Sequence, residues 1–193
     1  MPLSSPDARE HIHTRIVRCE GFRRADGLWD IEGHITDTKT YGFGNRERGK
    51  VPPGAPIHDM SIRITVDDAL TIRAVEVVTD ASPYRICGDV APNFQRLVGL
   101  TIGRGFRRQV RERLGGTEGC THLVELLGPV GTTAFQTVMP LARRDFEPGG
   151  ETGADAAARR RPALLNSCYA FSDEREVVAR QWPDFVARPA ANE

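Results

Sequence analysis

Three observations predict an α+β fold for this chain, an antiparallel sheet covered by helices. Apolar residues alternate at period two only before Ser82-Pro83, and helical spacing follows it. The alternating segments are joined by short Asp-Gly and Asp-Asp turns, as hairpins are. Strands first and helices afterwards make an α+β order rather than alternating βαβ units.

The elements follow in turn. Residues 1–10 are polar and contain proline, so flexible backbone is expected there. From His11 the run H-I-H-T-R-I-V-R-C-E-G-F reads as a strand. A turn at Arg24-Ala25-Asp26-Gly27 leads into L-W-D-I-E-G-H-I-T-D, where Trp29, Ile31, Gly33 and Ile35 oppose Leu28, Asp30 and Glu32. These two segments form an N-terminal hairpin. Residues 39–55, rich in glycine, proline and charge, read as a long exposed loop. A second hairpin follows, H-D-M-S-I-R-I-T-V and L-T-I-R-A-V-E-V-V-T, joined at Asp67-Asp68. V-A-P-N-F-Q-R-L-V-G then predicts a short helix. In R-G-F-R-R-Q-V-R-E-R-L-G a further helix has Phe106, Val110 and Leu114 at i, i+4 and i+8, and Gly115-Gly116 stops it. The apolar run from Cys120 is expected to kink or divide at Gly128, Pro129 and Gly131. Residues 147–161 have linker composition and are expected to be flexible. The segments after it, A-L-L-N-S-C-Y-A-F-S and E-R-E-V-V-A-R-Q-W-P-D-F, fit either helix or strand.

A length of 193 residues suits a single domain spanning 1–193. With 26 basic and 26 acidic residues the formal charge is zero, so no overall field draws the chain to nucleic acid or to an anionic membrane. No apolar run approaches the ~20 residues of a membrane helix. The N-terminus shows no basic stretch followed by an apolar core, and the expected location is cytoplasmic. Cys19, Cys87, Cys120 and Cys168 are widely spaced and are expected to be free thiols, with Cys19 and Cys168 as core residues. Oligomeric state is left open.

Chemistry-bearing residues concentrate between Gly54 and Leu127. His58, Asp59, Cys87, Cys120 and His122 together offer two imidazoles, one carboxylate and two thiolates, a donor set suited to zinc or iron. The same groups also suit metal-free chemistry. His58 or His122 would act as general base with Asp59 orienting it, and Tyr84 or Tyr41 would donate to a developing oxyanion. That arrangement fits proton abstraction or retro-aldol-type cleavage, a lyase reaction, on a small molecule, aromatic ones included. Trp29, Tyr41, Phe43 and Trp182 would supply apolar walls. A third reading is an interaction module without chemistry, in which these side chains do not converge.

Other clusters have plainer explanations. Asp30, Glu32 and Asp37 surround His34 on the first hairpin and read as a solvated strand face, with Asp30 and Glu32 as a carboxylate pair that binds a metal or shares a proton as the alternative. Arg104, Arg107, Arg108 and Arg111 line one helix as a solvated face, with an anion or partner site as the alternative. Gly103 and Gly105 lack the remainder of a phosphate-binding fingerprint.

Gly54-Ala55-Pro56-Ile57-His58-Asp59 before a hairpin, Cys87 after it, and Gly119-Cys120-Thr121-His122 at a later helix resemble the NifU-like and IscU-like iron-sulfur scaffolds over residues 54–139. The resemblance implies a NifU-like core with an additional N-terminal β-hairpin and a metal site built from those residues. His58 stands where the scaffolds have their first cysteine, and Leu114-Gly115-Gly116-Thr117-Glu118 replaces their chaperone-binding segment. The phrases D-G-L-W-D-I-E-G, H-D-M, T-D-A-S-P-Y and G-C-T-H-L-V-E-L-L resemble a bacterial family described as a domain of unknown function (2889). That family implies no activity.

Overall fold

The computed structural model describes residues 3–142, 162 and 164–187. The chain divides into two compact units, Met1–Asp145 and Phe146–Glu193. The first is α+β. Its strands β1 (His13–Arg23), β2 (Trp29–Lys39), β5 (Pro56–Val66) and β6 (Ile72–Ala81) form one antiparallel sheet in the order β1-β2-β5-β6. Strands β3 (Phe43–Asn45) and β4 (Gly49–Val51) make a separate hairpin. The helices are α1 (Phe106–Leu114) and α2 (Thr121–Ala142), with 3-10 segments at Arg85–Leu97 and Gly116–Glu118.

Both sheet hairpins arise where the turn residues place them. The Arg24 amide donates to the Leu28 carbonyl, and Asp26 accepts from the Leu28 amide, closing β1 onto β2. In the second turn the Asp67 carboxylate accepts from the Ala69 and Thr71 amides. Strand alternation then sorts the faces. Trp29, Ile31 and Ile35 of β2 and Met60, Ile62, Ile64 and Val66 of β5 are buried on the helix-covered face. The opposite face carries charge pairs: Arg63 donates to Glu32 at 2.8 Å and to Glu76 at 2.9 Å, and Arg18 to Glu20 at 2.8 Å.

Helix α2 lies directly on the sheet because two strand positions lack a side chain. A Cβ at Gly33 would stand 2.4 Å from Val130 Cγ2, and one at Gly21 would meet Thr137. Leu123, Leu126, Leu127, Val130, Ala134 and Val138 form the buried stripe that this contact requires. Phe94, Leu97, Phe106, Val110 and Leu114 complete the same core.

Three expectations are corrected. Residues 39–55 are largely exposed, as expected, but not all loop: β3 and β4 pair, Val51 is buried, and Asn45 Nδ2 donates to the Pro83 carbonyl. Helix α2 is not divided at Gly128, Pro129 and Gly131. Burial of its apolar stripe outweighs the hydrogen bond that Pro129 forgoes. The helix expected around Pro92 is a 3-10 segment extending over Arg85–Leu97.

In the second unit, residues 164–175 adopt turns and α3 (Glu176–Gln181) is a short helix followed by a 3-10 turn at Pro183–Phe185. Phe171 and Trp182 pack with ring centroids 5.4 Å apart, and Cys168 is exposed, not a core residue. Residues 147–161 lie outside the described residues. Residues 3–10 are exposed and belong to no helix or strand.

The helix-to-sheet contact is testable by double substitution. Gly33→Ala is expected to lower stability by about 1–3 kcal/mol through overpacking. The pair Gly33→Ala/Val130→Ala should cost less than the two single changes added together, as read by denaturant unfolding. Simple additivity would show that the Gly33–Val130 approach does not set the helix position.

Candidate functional site

The site forms where four chain segments end together. β1 begins with His13 and Arg15, β2 ends near Asp37, β5 begins near His58, and α2 opens near His122. The strand register pairs Arg15 with Asp37 and Asp37 with His58, giving one row across three strands. Asp37 shares its face with Ile31 and Ile35, so its carboxylate is carried inward and is only 2% exposed. A register shift falls directly after Asp37, in the β2–β5 ladder. Such irregularities re-aim side chains at the ends of sheets.

A buried carboxylate requires donors, and Asp37 accepts three side-chain hydrogen bonds. Arg15 grips it through Nε to Oδ1 and Nη2 to Oδ2, both at 2.8 Å. His13 Nε2 lies 3.0 Å from Oδ1, and His58 Nδ1 lies 3.0 Å from Oδ2. Burial alone would raise the Asp37 carboxyl, but the Arg15 guanidinium and the His58 bond hold it down to about 2. Asp37 is therefore an anion at neutral pH, and His58 must carry its proton on Nδ1 to donate to it. Nε2 of His58 is left with its lone pair, and no protein group among the described residues bonds it.

The imidazole of His122 stacks on His58 with centroids 3.7 Å apart and planes tilted by 32°. Burial first, and then the proximity of His122, push the His58 imidazole below its ordinary value against the pull of Asp37. His58 is thus neutral at pH 7, as a base or a metal ligand must be. Asp37, His58 and His122 each present one ligand atom, all within 4.8 Å of one another. Cys120 Sγ stands 3.9 Å from His122 Nδ1 and 4.0 Å from Met60 Sδ.

Residues 13–136 match the family described as "Protein of unknown function (DUF2889)". The chain belongs to that family. The DUF2889 span contains every residue of the cluster, from His13 to His122. No curated protein and no solved structure matches the chain.

Within this DUF2889 region the residues expected to act together divide. His58 and His122 meet, and Cys120 lies beside His122. Asp59 does not join His58. Successive strand residues point to opposite faces, and Asp59 accepts from His34 Nε2 at 2.6 Å on the outer face. Cys87 sits in the 3-10 segment outside the cluster of possible ligands, so the five-residue donor set does not assemble at one point. Tyr84, at the start of that segment, is 55% exposed and makes no side-chain hydrogen bond among the described residues. Tyr41 instead accepts from Lys39 Nζ at 2.6 Å. Trp29 is buried with its Nε1 on Asp68. Glu32 is solvated as expected, Asp30 is half-buried and accepts from Thr65, and Asp37 leaves that group and becomes the centre of the site. Its signal was its parity with Ile31, Gly33 and Ile35. His13 and Arg15 gave none, because an exposed-looking edge strand does not reveal what its neighbour needs. Among the described residues no helix is long and apolar enough to cross a membrane.

Two groups set the acid response, with separable signs. The folded His58 binds its proton less readily than the unfolded chain, so stability falls as pH drops below about 6.5, and levels off once folded His58 is protonated. The depressed Asp37 carboxyl stabilises the fold above its unfolded value near 4, and that contribution is lost as pH falls toward about 2. Asp37→Asn should remove the second step and cost about 2–3 kcal/mol at neutral pH. Unfolding midpoints measured from pH 8 to pH 2 check both; an unchanged acid profile in Asp37→Asn would exclude this account.

Proposed function

We propose that the protein transfers a proton to or from a small organic molecule, with His58 as general base. The observation carrying this reading is the Asp37–His58 hydrogen bond, fixed by the Arg15 clamp. An ionised carboxylate on Nδ1 holds the ring in one tautomer and stabilises the imidazolium that forms when Nε2 takes a proton. The depressed value of His58 keeps that lone pair available at neutral pH. His122 stacks on the same ring. Proton abstraction beside a carbonyl, or from a β-hydroxyl in a retro-aldol-type lyase reaction, requires a base of this kind.

A second reading, metal binding, is favoured by one observation: the close approach of ligand atoms from Asp37, His58 and His122. Zinc or iron accepts imidazole and carboxylate donors. Against it stands the demand already placed on Asp37, whose oxygens serve Arg15, His13 and His58. A metal would displace one of those donors or use Asp37 only to orient His58. Iron-sulfur scaffolding has less support, since Asp59 and Cys87 lie apart from His58. The readings share a small-molecule or ion partner and a cytoplasmic setting.

Deuterium incorporation from D2O into a panel of small aromatic compounds with an acidic C–H tests the first reading. Wild-type protein should catalyse exchange in at least one, and His58→Gln should slow it by about 10²–10⁴-fold. Exchange unaffected by His58→Gln would sink the assignment. Metal analysis of untagged protein addresses the second reading: stoichiometric zinc or iron, lost in both His58→Ala and His122→Ala, would replace the base by a metal centre.

A further inference from the structure

Helices α1 and α2 border an open groove of about 340 Å³ lined by neither His58 nor His122. Its wall is apolar where Val110, Val124 and Leu127 meet, and Gly128 opens it on the α2 side. A cavity of about 150 Å³ accepts a benzene ring, so this groove has room for a ring with a substituent. Arg107 and Arg111, one helical turn apart, stand on its α1 side.

Several arginines of the first unit are held in ion pairs. Arg108 pairs with Glu112, Arg96 with Glu118, and Arg63 with Glu32. Neither Arg107 nor Arg111 has a side-chain ion-pair or hydrogen-bond partner among the described residues. The acidic residue lining the groove, Glu125, is engaged by Arg15 at 3.1 Å. Two unpaired guanidinium groups therefore border an apolar pocket. A Cβ at Gly128 would make an ordinary contact with Arg107 Nη2, at 3.8 Å, so only a longer side chain at this position would enter the space beside that cation.

We propose that this groove binds a small apolar carboxylate, an aromatic acid or one of similar bulk. The apolar body rests on Val110, Val124 and Leu127, and the carboxylate accepts from Arg107 and Arg111. Guanidinium is suited to this because its donors form a planar fork matching the two carboxylate oxygens. The arrangement does not depend on proton transfer at His58, and it holds whether that site binds a metal or acts as a base.

Titration of the full chain with sodium benzoate, followed by backbone amide NMR, tests the proposal. Benzoate should shift amides of α1 and α2, and benzyl alcohol, with the ring but no charge, should bind about tenfold more weakly or worse. Arg107→Gln/Arg111→Gln should weaken benzoate binding by about tenfold or more while unfolding stays unchanged, because both side chains are exposed. Gly128→Leu should abolish binding by filling the groove, and a helix-favouring residue there retains the fold. The proposal is overturned if benzoate and benzyl alcohol bind alike, if the double arginine variant binds as wild type does, or if inorganic phosphate displaces benzoate with equal affinity.

Discussion

A carboxylate taken out of water must be met by donors, and Asp37 imposes that demand on this molecule. It is buried at the end of β2, where its strand parity leaves no route back to solvent. Arg15 from β1 and His58 from β5 answer from either side, and His13 Nε2 lies 3.0 Å from Oδ1. Three strands are therefore tied at one end by side-chain hydrogen bonds to one buried charge as well as by their backbone ladders. Replacing any donor leaves charge or lone pairs uncompensated in a medium of low dielectric, where that omission costs most.

The same requirement generates the chemistry. A carboxylate satisfied on both oxygens is a weak nucleophile and a poor free ligand, but it orients an imidazole well. Because Asp37 occupies Nδ1 of His58, the reactive nitrogen is Nε2, and burial beside His122 keeps it unprotonated. Structure and reactivity are here two consequences of one buried charge. The apolar support is also specific: Gly33 and Gly21 admit α2 close to the sheet, and α2 opens with the residues that bring His122 over His58.

Much of the architecture could be read from periodicity. Alternation in β2 and β5 and the stripe Phe106, Val110, Leu114 depend on near neighbours in sequence, and they predicted the strand pairs and α1 correctly. Residues 39–55 misled because β3 and β4 are short and are stabilised by long-range bonds such as Asn45 to Pro83. In α2, glycine and proline signalled interruption, yet a fully buried stripe maintained the helix. Local propensity is small beside such burial.

The sequence by itself determined the antiparallel α+β plan, the neutral overall charge and the presence of His58, Cys120 and His122 in one region. It also carried the parity that points Asp37 inward, although nearby Asp30, Glu32 and His34 suggested a solvated cluster. Only tertiary structure decided which groups meet: Arg15 and Asp37 are far apart in sequence but adjacent in register, whereas Asp59, next to His58 in the chain, faces away. The reason is geometric. Alternation separates neighbours in a strand onto opposite faces, and pairing between strands joins residues that no local pattern connects.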